Sequence, residues 1–155
     1  MATSLLDISR LPDRAIKESV RGRNKTFFYT SAPVTVAVIS GTVLGRVQTR
    51  INIDGDAHFI CTAISGEYLI QATSLKTLPQ LQAEPEVQLQ EEGTGYLLFD
   101  RELRWNLIVG SGQRAAVLAM PYLFRSRSTV LVTFQNPETV AYTCSITLSG
   151  YKLYL

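Results

Sequence analysis

The segment Ser128–Leu155, STVLVTFQNPETVAYTCSITLSGYKLYL, decides the fold class. Val130, Val132 and Phe134 alternate with Thr129, Leu131 and Thr133. After a turn, Val140, Tyr142, Cys144, Ile146 and Leu148 alternate with Ala141, Thr143, Ser145, Thr147 and Ser149. A period of two sustained this long means β-strands with one buried and one wetter face. Asn136-Pro137 marks the reversal, because Pro lacks a donor and fixes φ while Asn favours turns. Directly opposed residues share a face, so the pattern predicts a hairpin with Phe134 opposite an even-numbered residue such as Val140. Tyr151 to Leu155 then reads as a further short strand, at a sheet edge or against a partner chain.

The same signals recur upstream. Thr26–Thr30, Val34–Ser40 and Thr42–Ile53 read as strands, with Val47, Thr49, Ile51 and Ile53 opposite in facing to Arg46, Gln48, Arg50 and Asn52. Asp54-Gly55-Asp56 predicts a hairpin turn into a strand at His58–Ile64. Ser65-Gly66-Glu67 predicts a second turn, into Tyr68–Thr73. Further strands are expected at Val87–Gln90, Tyr96–Phe99 and Leu103–Val109, with irregular apolar structure from Arg114 to Arg127. About ten short strands at such spacing mean a sandwich or barrel. The expectation is an all-β chain: a single antiparallel β-sandwich or jelly roll over residues 26–155, preceded by a short helical or extended arm over residues 1–25.

Composition sets the bounds. At 155 residues, 46% hydrophobic and 18% charged, the chain suits one globular domain with a sizeable core. No apolar run reaches the roughly 18 residues of a membrane span, and the first residues lack a signal-peptide core, so neither membrane insertion nor secretion is expected. Cys61 and Cys144 sit in alternating apolar runs and read as two buried thiols.

Charge is uneven along the chain. Residues 1–25 carry six basic groups (Arg10, Arg14, Lys17, Arg21, Arg23 and Lys25) against three acidic ones, while the remainder carries nine against ten. Apolar spacing predicts a short helix near Pro12–Val20, ended by Gly22. This leading segment is either a solvated extension or a basic arm that docks on an acidic neighbouring surface.

Catalytic and metal-binding patterns are poorly represented. His58 is the sole histidine, and with two separated cysteines it cannot build a usual zinc site. His58 and Cys61, three apart on one strand, point to opposite faces. Asp54 and Asp56 lack the further ligands of a calcium loop. Glu91-Glu92 reads as solvated carboxylates in an acidic loop, and Gly110-Ser111-Gly112 lacks the Gly-Lys-Ser/Thr of a phosphate loop. The sequence therefore points away from an enzyme and implies no cofactor.

Binding readings remain. Trp105 beside Arg101 and Arg104 suits a stacking platform for a sugar, but its alternation favours the core. A balance near zero over the β-body speaks against nucleic acid. The segment AMPYLFRSRS reads best as a loop that packs on the body and presents Arg125 and Arg127 to a protein partner.

The runs Met120–Phe124, Ser128–Asn136 and Leu148–Leu153, with Arg46–Phe59 before them, resemble small virion proteins of tailed bacteriophages, namely capsid cement, decoration or minor structural proteins. The resemblance implies a structural protein of the virion, made in the host bacterial cytoplasm. Its partner would be the major capsid protein or another virion protein, with self-association as a dimer or trimer. The partner-binding residues expected are Arg10, Arg14, Lys17, Arg21, Arg23, Lys25, Arg125 and Arg127. The alternative is a carbohydrate- or receptor-binding module of a spike or tail fibre, built on an exposed Trp105 or a tyrosine platform.

Overall fold

The computed structural model describes residues 27–30, 33–36, 45–71, 84–110, 114–137 and 141–154. The proposed arm, its helix and its six basic residues lie outside them. The described residues form nine strands: β1 (Phe27–Thr30), β2 (Val34–Val36), β3 (Gly45–Asn52), β4 (Ala57–Gln71), β5 (Glu86–Glu91), β6 (Leu103–Arg104), β7 (Ala116–Phe124), β8 (Thr129–Asn136) and β9 (Ala141–Tyr154). One short helix, α1 (Trp105–Ile108), follows β6.

Two antiparallel sheets result. One has five strands in the order β1-β9-β4-β7, with β2 also on β9; the other has four, in the order β3-β8-β5-β6. β1 and β2 behave as one broken edge strand. They pair with successive parts of β9, with a one-residue shift in register between Thr30–Thr147 and Val34–Cys144. Pro33, which has no N–H to give a ladder, lies at the break.

Alternation decides which side chains go inward. Val130, Val132, Phe134, Tyr142, Cys144, Ile146 and Leu148 are all fully buried or nearly so, as their parity predicts. They join Phe59, Cys61, Ile64, Val87, Leu89 and Phe124 in one cluster drawn from both sheets. Each fully buried large aliphatic or aromatic side chain contributes about 1.5–3 kcal/mol.

The partners of the last two strands differ from expectation. β8 and β9 do not form a hairpin: β8 lies between β3 and β5, and β9 between β1 and β4. Phe134 opposes Val47 and Val87 rather than Val140. The chain crosses from one sheet to the other after Asn136. The Asn136 side chain is 1% exposed and donates to the Val36 carbonyl across the crossing. The Asp54-Gly55-Asp56 segment is likewise a crossing, from β3 to β4, and not a hairpin turn. A period of two fixes which face is buried, but a short reversal serves a hairpin or a crossing equally well.

Other breaks dissolve into long strands. Ser65-Gly66-Glu67 lies inside the fifteen-residue β4, paired with Thr147, Ile146 and Ser145. Gly66 is there for close approach, because a Cβ would fall 2.8 Å from Cζ2 of Trp105. Gly150 sits inside β9, where a Cβ would collide with the Ile60 carbonyl, so Tyr151–Tyr154 continue β9 against β4 rather than forming a separate edge strand. The residues expected to be irregular form β7, an edge strand in the sheet order. Its pattern was obscured by a register shift against β4 between the Cys61–Tyr122 and Ala63–Val117 pairs, a stretch that contains Pro121.

The expected strand at Leu103–Val109 is two residues of β6 followed by α1. The Asn106 amide donates to the Glu84 carboxylate at 2.9 Å, and the Trp105 amide to the Pro85 carbonyl at 2.9 Å. Tyr96–Phe99 contributes a single bridge, Leu97 to Gln90. Trp105 is 5% exposed, as the core reading required. Its indole lies between Tyr68 of one sheet, at 5.6 Å and 71°, and Phe134 of the other, at 6.3 Å and 28°. It is a core plug and leaves no face for stacking a sugar.

Candidate functional site

Three reversals gather at the end of the two sheets opposite Trp105. They are the β3–β4 crossing at residues 53–56, the β7–β8 crossing at residues 125–128, and the turn after β5 at residues 91–96. Reversals held on a rigid scaffold are where binding groups concentrate.

The two crossings are stitched together by backbone. The Ile53 amide donates to the Ser128 carbonyl at 2.9 Å, and the Arg127 amide to the Asp54 carbonyl at 3.3 Å. The Ser126 amide donates to Nδ1 of His58 at 3.0 Å. His58 is thus half-buried on an interior strand, with its Nδ1 occupied as an acceptor. The Cys61 thiol points into the core, where burial pushes it up to about 12. This pair offers no nucleophile and base in contact.

Asp54 is the polar centre of the crossing. Its carboxylate accepts from Lys152 Nζ and from the Tyr29 hydroxyl at 3.1 Å. These bonds, the Lys152 one foremost, hold Asp54 below the usual carboxylate range. Lys152 is raised in turn, chiefly by Asp54, and its ammonium lies 5.3 Å from the Tyr29 ring centre. Strands β1 and β9 are so tied to the β3–β4 crossing.

The turn after β5 carries the carboxylates expected to be solvated, and both are engaged. Glu91 is 6% exposed and accepts from Thr94 Oγ1 at 2.8 Å and from the Tyr122 hydroxyl at 3.2 Å. Tyr122 is on β7, so this bond joins the two sheets. Burial, and then the Glu91 charge, push the Tyr122 phenol up to about 12. Glu92 forms a two-point pair with Arg50, at 2.8 and 3.1 Å, which lowers the Glu92 carboxyl. Tyr96 stacks on Tyr122 with ring centres 5.4 Å apart and 14° between planes, yet it remains 55% exposed.

Arg125 and Arg127 bracket the β7–β8 crossing, and both are exposed. They belong to the short turn that follows β7, because most of the AMPYLFRSRS segment expected as a loop is strand. Among the described residues neither guanidinium has an ion-pair partner, whereas Arg46, Arg50 and Lys152 are paired with Glu102, Glu92 and Asp54. Arg127 has φ of 64°, and its side chain passes close to Gly55, where a Cβ would lie 3.2 Å from its Nε. A non-glycine residue held in the left-handed region costs roughly 1–2 kcal/mol, a strain often found where function fixes a side chain.

Sequence reading singled out Arg125 and Arg127, which are exposed, read Glu91 as solvated where it is buried and bonded, and did not single out Tyr96. Tyr96 directly follows Gly93-Thr94-Gly95, so an aromatic after a glycine turn was the available signal. Among the described residues there is no group of three side chains suited to a metal ion, and no helix long and apolar enough to cross a membrane. The chain matches no family model, and no curated protein or solved structure is significantly similar to it.

Proposed function

We propose that this protein is a structural component of a virion, a β-sandwich that binds the capsid or a neighbouring virion component and stabilises the particle by bridging subunits. The observation that carries the reading is the exposed pair Arg125 and Arg127 on a stiff crossing, the basic groups at that end without an acidic partner among the described residues. Their neighbours Arg50 and Lys152 are neutralised in place. Two guanidiniums held by a stitched turn can donate bidentately to carboxylates with little ordering cost. The resemblance to small virion proteins of tailed phages supplies the setting. The basic segment of residues 1–25 gives a second contact to an acidic lattice or to a sister copy, and self-association as a dimer or trimer suits symmetric lattice positions.

The test is incorporation into particles lacking the protein. Wild type binds in tens to hundreds of copies per particle. Arg125→Glu with Arg127→Glu, or deletion of residues 1–25, leaves a folded body that fails to incorporate. Full occupancy by the charge-reversed double variant removes the crossing from the contact, and a handful of wild-type copies per particle overturns the cement reading in favour of an adsorption component.

A further inference from the structure

We propose that Tyr96 is the platform of a carbohydrate site, stacking the apolar face of a neutral pyranose ring of a glycan. The argument begins with how the ring is held. One face lies on Tyr122 at 5.4 Å and 14°, and the hydroxyl of Tyr122 is anchored on buried Glu91. The backbone beneath is equally fixed. The Glu91 amide donates to the Tyr96 carbonyl at 2.8 Å, the Gly95 amide to the Glu91 carbonyl at 2.8 Å, and the Tyr96 amide to Thr94 Oγ1 at 3.2 Å. Gly95, with φ of 70°, closes this turn.

An aromatic fixed this firmly is normally buried, and Tyr96 is 55% exposed. More than half of its surface is accessible while the ring is already oriented, so binding there needs no ordering of the side chain. A pyranose ring matches it, being apolar over one face of its ring and hydroxyl-bearing around its rim. The surroundings of Tyr96 are polar in the same sense. Gln90 donates from Nε2 to the Gly95 carbonyl and keeps its amide oxygen as an acceptor, and the Thr94 hydroxyl is adjacent. The side chains bonded to this turn are an amide and a hydroxyl, which suit the hydroxyl rim of a sugar laid on the ring. Trp105, the aromatic that sequence reading considered for this role, is buried and cannot serve it.

The test uses the full chain on a printed array of neutral hexose and N-acetylhexosamine oligosaccharides. The strongest hit is then titrated as free oligosaccharide and as its monosaccharide. Tyr96→Phe keeps the platform and retains affinity, and Tyr96→Ala loses at least about tenfold, the equivalent of about 1.4 kcal/mol. Tyr96 lies on the surface, so Tyr96→Ala stays folded and lowers the unfolding midpoint only by the loss of its stack on Tyr122. Arg125→Glu with Arg127→Glu loses particle incorporation, while sugar stacking on Tyr96 persists; the two sites thus succeed or fail separately. Absence of any saccharide binding at millimolar concentration, or equal binding by Tyr96→Ala, overturns the proposal. Loss of particle incorporation by Tyr96→Ala, with no saccharide bound by wild type, also overturns it and assigns the ring to a protein contact.

Discussion

Gly66 of β4 lies directly beneath the indole of Trp105: a Cβ built on Gly66 would stand 2.8 Å from Cζ2 of the ring and 2.4 Å from the Ser145 carbonyl oxygen. The Gly66 amide also donates to the Gly110 carbonyl at 2.9 Å, which carries the chain after α1 back onto β4. Gly66→Ala must push either the indole or β9 aside, and overpacking of this kind costs about 1–3 kcal/mol. Trp105→Ala removes the plug itself, at about 3–5 kcal/mol. Chemical denaturation of the two variants checks both values, and a Gly66→Ala protein as stable as wild type contradicts the packing.

The Asp54–Lys152 bond predicts how stability depends on pH. Asp54 is depressed by Lys152 and then by Tyr29, so its contribution is present above the ordinary carboxylate value, about 4, and is lost as pH falls through its folded value. Lys152 is raised, so its share is complete below the ordinary lysine value, about 10, and declines only in strong alkali. Asp54→Asn is therefore less stable than wild type near neutrality, and the gap narrows below about pH 4. Denaturant midpoints measured across an acid series check this. A constant gap would place the effect elsewhere.

Glu91 and Tyr122 join the two sheets through one hydrogen bond at 3.2 Å. Tyr122→Phe keeps the ring stack and leaves the buried carboxylate with Thr94 as its side-chain donor, a loss of about 1–3 kcal/mol. Glu91→Gln still accepts from the hydroxyl and costs less. The Tyr122 phenol is raised, so the stability it lends is intact below the ordinary tyrosine value, about 10, and disappears as pH rises through about 12. An alkaline titration of tyrosinate absorbance should show a late-ionising tyrosine that titrates earlier in Glu91→Gln.

How much of this was legible in the sequence divides along a physical line. Parity is a local property, and it placed Val130, Val132, Phe134, Tyr142, Cys144, Ile146 and Leu148 on the buried face correctly. Pairing is not local. The pattern around Asn136-Pro137 and Asp54-Gly55-Asp56 fits a hairpin and a crossing alike, and the choice rests on residues such as Val36, Tyr29 and Lys152 that are distant in the chain. Gly66 and Gly150 were read as breaks because a sequence does not reveal whether a glycine bends the backbone or makes room for a neighbour. The Tyr96 platform was hidden for the same reason, since it exists only where the turn after β5 meets β7. Arg125 and Arg127 were visible because exposed charge on a short polar segment is itself a local signal.

The two cysteines give a chemical check on the core. Both thiols are free and buried, and burial pushes each up to about 12. A thiolate-selective reagent should therefore leave Cys61 and Cys144 unmodified in the native protein and titrate both after denaturation. Rapid modification of either thiol before unfolding would contradict its place in the core.

Arg127 separates folding from docking most cleanly. Its left-handed backbone costs about 1–2 kcal/mol that glycine would not bear. Glycine's greater freedom in the unfolded chain costs about 0.5–1 kcal/mol, and the two terms nearly cancel. Arg127→Gly is thus expected within about 1 kcal/mol of wild type in stability, whereas Arg127→Val, whose branched Cβ tolerates this region poorly, is destabilised by about 1–3 kcal/mol. The proposed docking follows a different order. Arg127→Gly loses the guanidinium and with it particle incorporation, while Arg127→Lys keeps the charge, gives up the bidentate fork and falls between. Measuring unfolding midpoints and particle occupancy on the same three variants resolves the two roles. A fully incorporated Arg127→Gly protein, stable and lacking the charge, would place the partner on another face of the molecule.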